Sequence, residues 1–249
     1  MSFDKFFAAQ QGNLEQIRRF PHFQHLIEPV SSLYELSIET VAPDKAIPLF
    51  ARLLLGCHKA LMSAAALIAR GQADDSAGVT RRAIEAACLA RAIKHSKANL
   101  HEWLAYEKRL ARWEARDRGL KPKPLSPKIT DPPGHQIVDW LRKQFGILSD
   151  AAVHFTPEFF ARQDWKMEDK GEIVGLVLQY FETSQIAIEE ALLALASVSL
   201  HILELFNECF DGAFRRDERW LKLREEIQRN GNALARATRA KGEPDGPTR

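Results

Sequence analysis

Little in this chain of 249 residues invites redox or metal chemistry. Its three cysteines, Cys57, Cys88 and Cys209, are odd in number and far apart, and none forms the Cys-x-x-Cys pair that zinc binding or thiol exchange uses. A His-Glu-x-x-His helix is absent, as are the inward Glu-x-x-His pairs of di-iron bundles, so no metal is expected. The chain also lacks a Gly-x-Ser-x-Gly nucleophile elbow and a phosphate-cradling glycine loop; its one Gly-bounded run, GQADDSAG, matches none. Serine hydrolysis and nucleotide hydrolysis therefore find no support, and no cofactor is expected.

Strand signals are missing too. No segment alternates apolar and polar residues with period two, and no Asn-Gly or Asp-Gly hairpin links two such segments. The N-terminal MSFDKFFAAQQGNLEQ has no apolar run ending in a small-residue cleavage site, so it does not read as a secretory signal. With so few cysteines, a reducing cytoplasm is the expected compartment. Two stretches, Leu49–Ala69 and Ala191–Leu203, are strongly apolar. Arg52, His58 and Lys59 interrupt the first, and the second falls short of the roughly 20 residues a spanning helix needs, so both read as buried helices and no membrane is expected as a partner.

What is present is an ordinary globular composition, 45% hydrophobic and 27% charged with a net charge of +2, too small to attract nucleic acid by itself. The charge is uneven, with about thirteen Lys and Arg against about six Asp and Glu between Arg91 and Lys143. Helical periodicity runs through most of the chain. Glu28–Thr40 is a short amphipathic segment. Asp44 is a plausible N-cap for a long helix that carries Pro48 in its first turn and ends near Arg70, at Gly71. A second helix, about Asp75–Lys97, follows so closely that the two form an antiparallel hairpin.

His101–Asp117 reads as a surface helix, with Trp103, Tyr106 and Trp113 on one side and basic residues largely on the others. Gly119–Gly134 holds five prolines and reads as a long loop. Helices are expected again at His135–Phe145, at Ser149–His154 and, unusually long, at Gly171–Phe210. After Asp211 the chain reads as an exposed, charged helical arm with a frayed end.

Two polar clusters stand out. Arg81 and Glu85, four apart on an otherwise apolar helix and followed in their turn by Arg82, are either a structural ion pair or the lining of a pocket. Asp150 and His154 are also four apart, which suits a carboxylate orienting a general base. Ser149-Asp150 is equally a helix N-cap with a favourably placed acid, leaving His154 a structural ring. Ser149 and His154 lie about 140° apart around one helix, so they cannot act together as nucleophile and base. Lys108, Arg109 and Arg112, interleaved with aromatics, could contact single-stranded nucleic acid, or be the solvated face of an amphipathic helix.

The segments TRRAIEAACLARAI and LSDAAVH together resemble a family of uncharacterised bacterial helical proteins with an Arg-x-x-x-Glu helix and a later Ser-x-x-x-x-His segment. That family is similar in turn to the HEPN bundles, many of them RNases with an Arg-x(4 to 6)-His motif at a dimer interface. Here the positions an arginine would occupy before His154 are Ile147, Leu148 and Ser149, and the one spacing match, Arg19 with His25, has Pro21 between them in an expected loop. The arginine that would stabilise phosphoryl charge is missing from the motif.

The expectation is an all-α protein, a single HEPN-like bundle of up-and-down antiparallel helices. Residues 1–42 form an N-terminal helical segment, 43–210 the core with its proline-rich loop at 119–134, and 211–249 the arm and tail. It binds a ligand, RNA or a protein partner through Arg81, Arg82, Glu85, Ser149, Asp150 and His154, as a homodimer. The alternatives are a metal-independent RNase or toxin-like effector, with His154, Arg81 and Glu85 as its catalytic group, and a structural oligomerisation module.

Overall fold

The computed structural model describes residues 3–41, 48–96, 100–101, 105, 135–152 and 184–242. Among these there is no strand, and the protein is an all-α bundle. Its helices are α1 (Phe3–Ile17), α2 (Glu28–Val41, entered through a π turn at Phe23–Ile27), α3 (Pro48–Ala69), α4 (Ala73–His95), α5 (Gln136–Ala152), α6 (Gln185–Cys209) and α7 (Glu218–Gly242).

Helix α3 stops where a glycine permits it. Gly71 has φ 81, and the amide of Gln72 reaches back to the carbonyl of Leu67 while that of Gly71 reaches Ile68, both at 2.9 Å. This double return bond satisfies carbonyls that the helix end would otherwise leave open. Helix α4 starts two residues later and packs along α3, where Ala64, Ala65, Ala83, Ala87 and Ala90 are fully or almost fully buried and let the two backbones approach closely. The end of α6 repeats the device, with the Gly212 amide 2.8 Å from the Asn207 carbonyl and Asp211 at φ 53.

Helix α6 lies at the centre, packed by α2, α3, α4, α5 and α7. Its buried Leu192, Leu195, Ile202, Leu203, Leu205 and Phe206 belong to one continuous core with Leu33 and Tyr34 of α2 and Leu54 and Ile68 of α3. From Phe206 the aromatic packing continues through Phe210 and Phe214 to Trp220, with successive ring centroids 6.4, 5.6 and 5.8 Å apart.

Four expectations are corrected. Residues 136–152 form one helix, so Ser149 is not an N-cap but a residue in its last turns. Gly146 has open space around it and costs too little to end a helix whose Val138, Leu141, Phe145 and Leu148 stripe packs on the core. Helix α6 begins only at Ser184, which is extended (φ −70, ψ 113) and caps it by accepting the Ala187 amide at 3.3 Å, so the helix expected to run unbroken from Gly171 to Phe210 does not pass through this position; its first part, 171–183, lies outside the described residues. Helix α7 is not an exposed arm, because Trp220, Ile227 and Thr238 are buried against α2, the π turn and α6. Pro21 opens a helical segment instead of lying in a loop, which suits a residue with fixed φ and no amide hydrogen. The basic helix expected at His101–Asp117 (His101 and Ala105 apart), the proline-rich 119–134 stretch and His154 lie outside the described residues.

Candidate functional site

Of the residues singled out by sequence, Arg81 and Glu85 pair as their spacing predicts, Nε to Oε1 at 3.4 Å, and both are half-buried. Arg81 also lies 4.4 Å above the centre of the Phe145 ring, so the pair is held at the seam of α4 and α5. Arg82, the next residue on α4, is exposed. Ser149 and Asp150 belong to the end of α5, Ser149 one turn beyond Phe145. Lys108, Arg109 and Arg112 share with His154 a place outside the described residues.

A cleft of about 530 Å³ lies elsewhere, between α5, α6, α7 and the π turn, within the range typical of small-molecule sites. The sequence opens it by a stripe of small residues: Ala194 and Ser197 on α6 face Gly231 and Ala235 on α7, so the two helices meet without side chains large enough to fill the seam. Leu193, Leu200 and Ile227 supply an apolar lining. On one wall the His201 ring stacks on Trp140 with centroids 3.9 Å apart and planes 15° from parallel.

His201 has its tautomer fixed by the backbone. Its Nδ1 is 2.7 Å from the Ser197 carbonyl, which can only accept, so Nδ1 carries the hydrogen and Nε2 offers a lone pair. Next to it the buried Glu204 is neutralised, with one oxygen 2.7 Å from Arg215 Nη2 and the other bonded by Arg224 Nε. Glu190 and Arg239, both exposed, add one charge of each sign to the lining. The cleft thus joins an apolar floor to one oriented acceptor and nearly balanced charge.

Thr238, which also lines this cleft, leads into a buried polar cluster. Its Oγ1 lies 2.9 Å from His22 Nε2 and 3.1 Å from Glu189 Oε2, while Glu189 Oε1 is 3.9 Å from His22 Nδ1. Hydroxyl, imidazole and carboxylate in this order suggest a nucleophile, its base and an orienting acid. Counting protons excludes it. The ionised carboxylate can only accept, so Thr238 gives its hydrogen to Glu189; the hydroxyl oxygen then accepts from Nε2–H, and that nitrogen cannot take a proton from Thr238.

Glu189 is 1% exposed and keeps its charge because Lys241 donates to both of its oxygens, at 2.6 and 2.9 Å, and Gln185 donates at 2.7 Å. Burial presses its pKa upward, yet the donors from Lys241 and Gln185, the neighbouring His22 and the Thr238 hydroxyl together hold it below the ordinary carboxylate value.

Sequence reasoning missed both features. The cleft had a signal, the small residues at helical spacing on α6 and α7. The buried cluster had none, since His22 and Thr238 are 216 residues apart. Among the described residues, no group of three His, Cys, Asp or Glu side chains is placed to hold a metal ion. Comparison with protein-family models, curated proteins and solved structures finds no match to this chain.

Proposed function

We propose that the protein is a cytoplasmic binding module whose ligand is a small amphipathic organic molecule held in the α5–α6–α7 cleft. The observation that carries the reading is His201: stacked on Trp140, with Nδ1 committed to Ser197, it leaves Nε2 as a fixed acceptor above an apolar floor. A ligand with an apolar body and one N–H or O–H group fits that combination. Anilinonaphthalene sulfonate, which has both, is a suitable fluorescent probe. It should bind at one saturable site, bind several-fold more weakly to His201→Phe, and fail to bind Ala194→Trp, in which the indole fills the cleft. Undiminished binding to Ala194→Trp sinks the reading.

The second reading is a metal-independent RNase or effector of HEPN type, with His154 as base and Arg81 supplying positive charge. Its support is that Arg81 is half-exposed at the seam with the helix that leads toward His154. Incubating a mixed RNA pool with wild type and His154→Ala, without added metal, separates the two readings. No specific cleavage is expected from either; cleavage by wild type alone would favour the RNase.

Self-association as a homodimer belongs to the same proposal. Leu55 and Met62, seven apart on one face of α3, are 55% and 42% exposed, which suits a helical contact surface. Sedimentation should depend on concentration, and a monomer at all concentrations rules the dimer out.

A further inference from the structure

Two charges of opposite sign line the cleft without being held. Glu190 and Arg239 are exposed, and neither makes a hydrogen bond or ion pair with another described residue, whereas Glu204 is bonded by both Arg215 and Arg224. They stand at the same end of the cleft. Thr238 bonded to Glu189 and Arg224 bonded to Glu204 fix the register of α6 and α7, which run antiparallel, and Glu190 and Arg239 each follow one residue after the first of these contacts.

Helix geometry gives the two charges different directions. Side chains on a helix lean toward its N-terminus. Contacts on both helices show this lean: His201 bonds back to the Ser197 carbonyl, and Lys241 reaches Glu189, which is level with Thr238 one turn earlier on α7. Because the helices are antiparallel, the lean takes Glu190 outward past the end of the cleft and Arg239 inward toward its middle. A guanidinium leaning as Lys241 does stands level with Ala235, which the register sets opposite Leu193. The His201 ring lies at the level of Ser197, so cation and acceptor are separated by four residues of α6, or about 6 Å along the axis.

We propose, resting on the cleft as the binding site, that its ligand is an aromatic carboxylic acid with an N–H or O–H on its ring. The carboxylate sits on Arg239, the donor on His201 Nε2 and the ring on Leu193, Leu200 and Ile227. An unpaired guanidinium offers a carboxylate two parallel donors. Nε2 can only accept, because Nδ1 carries the hydrogen, so it selects a donor at the other end of the ligand. The short, fixed spacing favours a rigid ring over a flexible chain, since the ring presents both groups with little torsional freedom to lose on binding.

Isothermal titration calorimetry on the full chain tests this with three probes that share one indole: indole-3-propionic acid, its primary amide and 3-(indol-3-yl)propylamine. At about pH 7.5 the acid is ionised and should bind about fivefold tighter than the amide, with the amine weakest. Arg239→Gln should bring the acid to the level of the amide and leave the amide unchanged, while Ala194→Trp should abolish both. An acid that binds no tighter than the amide, or that keeps its preference in Arg239→Gln, overturns the aromatic acid; if Ala194→Trp still abolishes the amide, the cleft remains a binding site for a neutral ligand. An amine that binds tightest and loses its advantage in Glu190→Gln overturns it as well, by giving the charged end to Glu190. If no probe binds, or binding survives Ala194→Trp, the cleft itself is not the site and the aromatic acid falls with it.

Discussion

A single hydroxyl, that of Ser37, shows how this bundle accommodates polar groups in its core. It donates to the Leu33 carbonyl at 2.8 Å and accepts the indole Nε1–H of Trp220 at 2.9 Å, with both side chains fully buried. Ser37→Ala leaves that N–H without a partner, and urea unfolding should show a loss of about 1–3 kcal/mol. A loss near zero means the indole has found another acceptor. Neither residue announces the other in sequence, since they are 183 positions apart. The cysteines share that core. All three are buried, Cys57 donates to the Ala83 carbonyl at 3.3 Å, and burial raises the thiol pKa of Cys57 and pushes that of Cys209 up to about 12. Thiolate is the reactive form, so Cys57 and Cys209 should stay silent toward a disulfide reagent until the protein unfolds, and burial alone should shield Cys88 from it.

Whole elements were legible where local signals and tertiary packing agree. Gly71 ends α3 because its backbone conformation suits glycine, and the short connection after it forces the antiparallel hairpin. They were misread where packing overrides a local cue. Ser149-Asp150 has the chemistry of a cap, but the helix whose apolar stripe runs from Val138 to Leu148 is already wound when the chain reaches it, and continues to Ala152. Ser184 has the same chemistry and does cap a helix, so residue type alone could not tell the two apart. Ser184→Ala should therefore destabilise by about 1 kcal/mol, and Ser184→Gly by only a few tenths. The charge pair was visible at its spacing of four, but its partner ring, Phe145, was not. A double-mutant cycle on Arg81 and Phe145 should return a coupling of about 0.5–1 kcal/mol, and zero coupling would leave the stacking without energetic weight.

At the scale of the molecule, two helices among the described residues, α6 and most of α3, are long and apolar enough to cross a membrane. In α6 the apolar surface is matched by buried Glu189, Ser199, Glu204 and Asn207, each bonded within the protein. That is the pattern of a central core helix. The dense charge in the sequence of α7 hid the fact that a narrow stripe of Trp220, Ile227 and Thr238 suffices to seat a whole helix.

Placing histidines inside such a core has a consequence for the whole fold. His22 is buried, and His58 is partly so, stacked on Tyr34 at 5.1 Å with the Ser31 hydroxyl 3.1 Å from its Nε2. Burial is the largest influence on both and lowers both pKa values, against Glu189 for His22 and Glu35 for His58. In the unfolded chain these rings protonate near pH 6.5; in the native protein they stay neutral to lower pH. Their contribution to stability is thus complete above about pH 6.5 and is lost as pH falls toward the lowered native values, at no more than about 1.4 kcal/mol per unit for each ring. Urea midpoints should accordingly drop between about pH 7.5 and 5.5, and the double variant His22→Gln, His58→Gln should lose most of that slope. A midpoint that rises over the same interval would mean that Glu189 and Glu35 outweigh burial, reversing the sign argued for both rings.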